Sequence, residues 1–365
     1  MIRNSWLGTV AYCALCAGIS RVSPAQEANF GFDIRATVTG QMVASNELNE
    51  APRSGAPVTT GSRTVAYPTL KFSENLFFTG AVQLITRPYY FEQLSTQGYG
   101  AKGSILQASV NYSRVSERGS LLVRAGELTT AFGSFLLRYD DADNALIDLP
   151  AEYGYYYSPV SILPVAGAQI DAARGKWDAR LQFANSSPAN PRGLFASGQH
   201  GNWAGGAGYT VRQGLHFGVS AYRGPYLDSN YRYYLPGEDR PSRLPASAFG
   251  LDANWSRGHT TAQGEFQKFA MPYTVMPTFR VTSGYGEVRQ VLAPRWFAAA
   301  RFGTSTTSVT GKTQSIEASA AFRPNRFQLI KAGYELKHYS YGSQSNDQML
   351  AIQFVVTLHR SIARR

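Results

Sequence analysis

Residues 127–165, reading ELTTAFGSFLLRYDDADNALIDLPAEYGYYYSPVSILPV, gather the groups best able to do chemistry: Asp140, Asp141, Asp143, Asp148 and Glu152, with Arg138 as the one cation. Carboxylates packed this closely can bind a divalent cation, cap turns, or set up an electric field across a wet passage. The calcium reading lacks the Gly-and-Glu frame of a helix-loop-helix site. The aromatic run at 153–157 could stack on a sugar, although packing the loop onto a wall is the simpler role. His200, His216, His259, His338 and His359 show no metal spacing, and no GxSxG, HExxH or P-loop pattern occurs. His216 and Ser220 share one alternating segment and do not pair across two. Neither an enzyme, a metal centre nor a cofactor is therefore expected.

The elements that must position the acidic stretch are short segments of period two. In FGFDIRATVTGQM, Phe32, Ile34, Ala36, Val38 and Met42 fall on one face, and Asp33, Arg35, Thr37, Thr39 and Gln41 on the other. Such alternation predicts a strand with one apolar and one wet face. The pattern recurs near 65–73, 76–87, 103–114, 119–126, 166–174, 176–185, 202–213, 214–223, 246–257, 258–269, 279–290, 295–304, 312–323, 326–340 and 348–359, which makes sixteen strands.

The connections are long (45–64), short, long (88–102), short, very long (127–165), short, long (186–201), short, long (224–245), short, then medium and short in turn to 341–347. Alternation of this kind predicts an up-and-down antiparallel barrel with short turns at one end and loops at the other. Lipid offers no hydrogen bonds to a sheet edge, so a barrel in a membrane must close. Its apolar face then meets lipid and its polar face a wet lumen. Trp177, Trp255, Trp296 and Phe322 lie beside short turns, and Trp203 and Tyr334 toward the long loops, as two aromatic girdles require.

The chain opens with Arg3, an apolar run from Trp6 to Ile19, and small Ser23 and Ala25, which predicts a cleaved secretory leader over 1–25 and a barrel over 26–365. That run is too short to cross about 30 Å of hydrocarbon as a helix. Both cysteines, Cys13 and Cys16, fall within the leader, so no disulfide and no thiolate site is expected in the exported chain. The formal net charge is +11, and losing Arg3 and Arg21 lowers it only slightly. Export makes outer-membrane lipid, lipopolysaccharide and anionic solutes better partners for that charge than nucleic acid.

In architecture over nearly all of residues 26–365 the chain resembles the sixteen-stranded general or anion-selective bacterial porins. VRAGELTTAFGSF, with Arg124, Gly126, Phe132 and Gly133, is similar to the segment entering the constriction loop of phosphate-selective-type porins. The chain differs from the family in ending LHRSIARR instead of on an aromatic, and in the density of acids in the loop. The resemblance implies that loop 127–165, which follows the fifth strand, folds into the bore, and that the protein is a homotrimer of the bacterial outer membrane.

Wet-face positions include Arg35, Lys71, Arg87, Arg124, Lys176, Arg180, Arg212, Arg301, Lys331 and Lys337, more bases than acids. Sixteen strands leave an aqueous channel, and a low-dielectric wall focuses the field of such charges. The expected constriction comprises Arg35, Lys71, Arg124, Arg138, Asp140, Asp141, Asp143, Arg180, Arg212 and Arg301, with the loop acids facing Arg35, Lys71 and Arg124 across the bore. The expected function is passive diffusion of small hydrophilic solutes with mild anion preference. A closed or ligand-specific barrel is the alternative, which an apolar ladder on the wet phase would favour.

Overall fold

The computed structural model describes residues 30–49, 57–91, 94, 100–135, 139–150, 153, 164–185, 201–226, 236–239, 243–309, 311–340 and 345–363. The expected leader, Arg138, Glu152 and the tyrosines at 155–157 lie outside the described residues. Each alternating segment is a strand: β1 (Gly31–Ser45), β2 (Val58–Lys71), β3 (Leu76–Arg87), β4 (Gly100–Ser116), β5 (Gly119–Leu128), β6 (Val165–Arg174), β7 (Trp177–Ala184) and β8 (Asn202–Arg212). The second half follows with β9 (Leu215–Pro225), β10 (Pro245–Arg257), β11 (Thr260–Met271), β12 (Phe279–Ala293), β13 (Trp296–Thr307), β14 (Gly311–Phe322), β15 (Gln328–Tyr339) and β16 (Ser345–Ala363). Every neighbour in sequence is a neighbour in space, all pairs are antiparallel, and β1 pairs β16 from Gly31↔Ala363 to Ser45↔Met349, which closes the barrel.

Burial alternates residue by residue, and its sense shows which way each face points. In β15, Leu329, Lys331, Gly333, Glu335 and Lys337 are buried while Ile330, Ala332 and Tyr334 are exposed. Polar side chains are therefore inside and apolar ones outside, the inverse of a water-soluble sandwich. Leu84, Ile105, Ile170, Leu181, Phe217, Phe249, Phe302, Ile316, Leu350 and Phe354 belong to this exposed outer belt. An apolar surface that encircles a protein is stable only against lipid. Trp296 stacks near Phe322 (centroids 4.6 Å apart) and Trp177 near Tyr209 (4.6 Å) at the short-turn end, while Phe183 meets Trp203 (4.7 Å) at the other. Tyr334 sits at the middle of β15 and belongs to neither girdle.

Strand boundaries depart from the sequence reading at informative places. β2 begins at Val58, seven residues earlier than its alternation suggested, and so brings Arg63 onto the inner wall. Pro68 lies within β2, and the β2–β3 ladder passes from Ala66↔Val82 to Thr69↔Thr79 without pairing it, because proline has no N–H to give. The unbroken alternation of connection lengths is also corrected. β13 and β14 pair out to Thr307↔Gly311, shrinking their connection to 308–310, shorter than the 323–327 link between β14 and β15. Gly311 closes that tight turn with φ 78°, a conformation open to glycine.

Candidate functional site

The segment between β5 and β6 enters the barrel, and the strands hold it there side chain by side chain. Its first turn is fixed by Gln182 of β7, which accepts from the Ala131 N–H at 3.0 Å and donates to the Thr129 carbonyl at 2.8 Å. Arg180 of β7 donates to the Gly133 carbonyl at 2.5 Å, while the Gly133 N–H reaches Ser220 of β9 at 3.2 Å. Gly133 has φ 74°, and a side chain there would strike the Tyr153 hydroxyl and the Glu265 carboxylate. Glycine is required at that point on both counts. Phe132 and Phe135 then pack on Phe269 and Tyr285, at centroid distances of 5.5 and 6.1 Å. The Tyr153 hydroxyl donates to Glu265 of β11 at 2.6 Å.

The acidic cluster crosses to the opposite wall. Asp140 accepts from Thr37 (3.1 Å) and from Tyr67, and lies 3.6 Å from Arg35. Asp141 accepts from Thr39 (2.9 Å), Arg63 (3.1 Å), Tyr89 (3.1 Å) and Tyr139 (2.9 Å). Both carboxylates are thus occupied by protein donors rather than arranged around a cation. Burial works against ionisation of Asp141, but Arg63 and Lys331, with the Tyr139 and Thr39 hydroxyls, outweigh it and hold the carboxyl below its ordinary range. Asp143 is different: its side chain keeps 31% of its exposure and lies 3.9 Å from Arg35. Burial and the charge of Asp140 push it up to about 6, against the pull of Arg35, Arg323 and Arg289.

Lys331 of β15, fully buried, serves as a latch. Its Nζ donates to the carbonyls of Asp141 (3.0 Å), Asn144 (3.2 Å) and Leu146 (2.9 Å), using all three protons on the loop backbone. Glu317 of β14 accepts from the N–H groups of Ile147 (2.8 Å) and Asp148 (3.1 Å). Arg301 of β13 pairs with Glu317 and with Glu287 (3.5 Å) and donates to the Asp148 carbonyl at 2.7 Å. Lys337 lies 3.6 Å from Asp148 and 3.9 Å over the Phe91 ring.

The expected constriction residues therefore separate into groups. Arg35, Asp140, Asp141, Asp143 and Arg180 come together at the loop, and Arg301 joins them as a buried cross-link, only 3% exposed. The expectation that the loop acids also face Lys71 and Arg124 is corrected: Arg124 pairs with Asp171 of β6 at 2.7 Å, and Lys71 is exposed at the end of β2 with no ion pair among the described residues. Arg212 is exposed at the β8–β9 turn. Lys176 sits in a turn, bonded to the Val211 carbonyl at 2.9 Å. Lys71, Lys176 and Arg212 lie at strand ends, away from the loop, while Arg124 lies mid-strand and is claimed by Asp171. Sequence reasoning missed Arg63, hidden in what read as a loop, and Arg289 and Arg323, which flank Phe297 at 4.3 and 5.9 Å. The alternation Arg63–Val65–Tyr67 was the available signal for the first.

No family model matches the chain, and no curated protein does. Solved structures share the fold. OprB of Pseudomonas putida, solved at high pH, aligns with a TM-score of 0.65 and 9% identity over 90% of this chain and 94% of its own. The anion-selective porin from Comamonas acidovorans gives 0.57 and 10% over 90% and 98%. OmpT, an outer membrane protein of Vibrio cholerae in a trimer form, gives 0.58 and 9% over 90% and 99%.

Proposed function

We propose that this protein is an outer-membrane porin, a passive diffusion channel for small hydrophilic solutes with mild anion preference, whose constriction is formed by loop 127–165. Residues 1–25 are its export leader, the short turns face the periplasm, the long loops face outward, and three copies form the working assembly. Likeness to solved porins supports the channel class, and the trimer form of OmpT supports the oligomer.

The observation that carries the reading is the division of charge around the loop. Asp140, Asp141 and Asp148 of the loop are buried and paired, whereas Arg35, Lys71, Arg180, Arg289 and Arg323 retain exposure on its short-turn side. Of the acids on that side, Asp171 is compensated by Arg124 (2.7 Å), while Asp178 and Asp33 are hydrogen-bonded by His216 (2.9 Å) and His359 (2.7 Å). Arg289 even keeps a buried Nε without a hydrogen-bond partner. A lumen in this state enriches anions. Single-channel recording of the refolded chain in a planar bilayer under a salt gradient is the test. Ohmic steps with an anion-favouring reversal potential are expected. A folded barrel without conductance overturns the reading in favour of a closed or ligand-specific barrel.

A further inference from the structure

Basic residues on the outer surface are distributed unevenly. At the long-loop end, Arg223 of β9, Lys268 of β11, Arg280 of β12 and Lys312 of β14 all point outward and are exposed. Register places them in two adjacent rows. Arg223 pairs Ser247, which pairs Ala270, which pairs Arg280. One outward position nearer the middle, Lys268 pairs Thr282, which pairs Thr306, which pairs Lys312. Each row spans three strand spacings, about 14 Å. The threonines put hydroxyls between the two lysines.

None of the four side chains has an acidic partner among the described residues, and the outward faces of β9–β14 carry no Asp or Glu. The outward positions at the same end of β15, β16 and β1–β8 carry no Lys or Arg, and Glu127 lies among them. Snorkelling at a headgroup boundary explains single cations anywhere on the circumference. It gives no reason for all four to share one side. Phe249 pairs Lys268 in the lower row, and Leu251 and Phe266 follow directly below, so the cations sit on the border of the apolar belt, as headgroup depth requires.

We infer that the outer rim of β9–β14 is a docking surface for a phosphate-bearing glycolipid of the leaflet at the long-loop end, the four cations and two threonines receiving its phosphates while its acyl chains lie on the apolar belt. This deepens the outer-membrane placement proposed above and rests on it. A headgroup with several phosphates suits two rows of cations that lack an acidic partner, since basic groups near a membrane surface are drawn to anionic lipid.

Native mass spectrometry of the refolded full chain with added bis-phosphorylated lipid A is the test. Wild type is expected to retain the lipid and to lose most of it when the lipid is dephosphorylated, a comparison that needs no variant. The Arg223→Gln/Lys268→Gln/Arg280→Gln/Lys312→Gln protein is expected to bind at least about tenfold more weakly. Arg114→Gln/Arg174→Gln, outward cations of the short-turn end, should bind as wild type does. Equal retention of phosphorylated and dephosphorylated lipid overturns the proposal, as does undiminished binding by the folded quadruple variant. Conductance in phosphatidylcholine bilayers is expected to be the same in wild type and the quadruple variant, so failure of lipid docking and failure of the channel reading are separately visible.

Discussion

From β7 round through β16 to β2, the inward side chains meet the loop that crosses the bore; those of β4–β6, with Thr79 of β3, meet chiefly one another. In the first region Arg301, Lys331 and Glu317 are nearly inaccessible and direct hydrogen bonds to the loop backbone. In the second, Gln107 and Asn111 donate to Thr79, at 3.1 and 3.0 Å, and Arg124 pairs with Asp171 while both keep some exposure. No described loop residue hydrogen-bonds to that strip. One alternation thus generated two kinds of wall. Buried charge on the covered wall fastens the loop, and in the proposed channel the charge left exposed on either wall would act on what passes.

Substitutions on the two walls should therefore fail in opposite ways. The largest expected effect is that of Arg301→Leu, which leaves Glu317 and Glu287 buried without their cation and costs about 3–5 kcal/mol. A lowered midpoint of heat or denaturant unfolding checks it, and an unchanged midpoint would show that the covered wall is not what secures the fold. Lys331→Met comes next, at about 1–3 kcal/mol for the abandoned carbonyls. Its signature is new protease cleavage within 139–150 and noisier single-channel current.

Arg124→Ala should change stability by no more than about 1 kcal/mol, since its pair is partly solvated. It should instead shift the reversal potential toward cations, because Asp171 is left uncompensated. Asp143 provides the smallest and most delicate test. Its carboxyl is raised from 3.8 to about 6 by burial and by Asp140, so lowering the pH through about 6 removes a negative charge and should strengthen anion preference. Asp143→Asn should show that stronger preference at every pH. Since the fold disfavours the charged form, wild-type stability should fall as pH rises from 3.8 to about 6 and then level off. The asparagine variant should lack that slope.

The barrel was legible because period two in a chain with no long apolar helix leaves few alternatives, and KWDARLQF or MLAIQFVVTL carries its inside and outside residue by residue. Strand ends were less legible, since Thr- and Ser-rich stretches such as 58–64 and 305–307 pair through backbone without an apolar face to announce them. Arg35 facing Asp140 and Asp143 was anticipated from strand phase and loop position. The partner of Arg124 was not, because Asp171 on the next strand competes with the loop, and register between neighbours is invisible until the turn is fixed. Whether an inward cation is wet or buried depends on the loop's path, and no local pattern encodes that.

The latch also has a consequence in time. Lys331 clasps carbonyls 185 to 190 positions before it in the chain, and Arg301 one that lies 153 before it. A chain whose strands are complete only through β12 holds the loop sequence but none of these three anchors: Arg301, Glu317 and Lys331. Seating of the loop therefore requires β13–β15 to be in place, and until then Asp148 has neither Lys337 nor the Arg301 neighbourhood to receive it. A seated loop is in this sense a record of finished assembly: a barrel caught part-way stays unlatched.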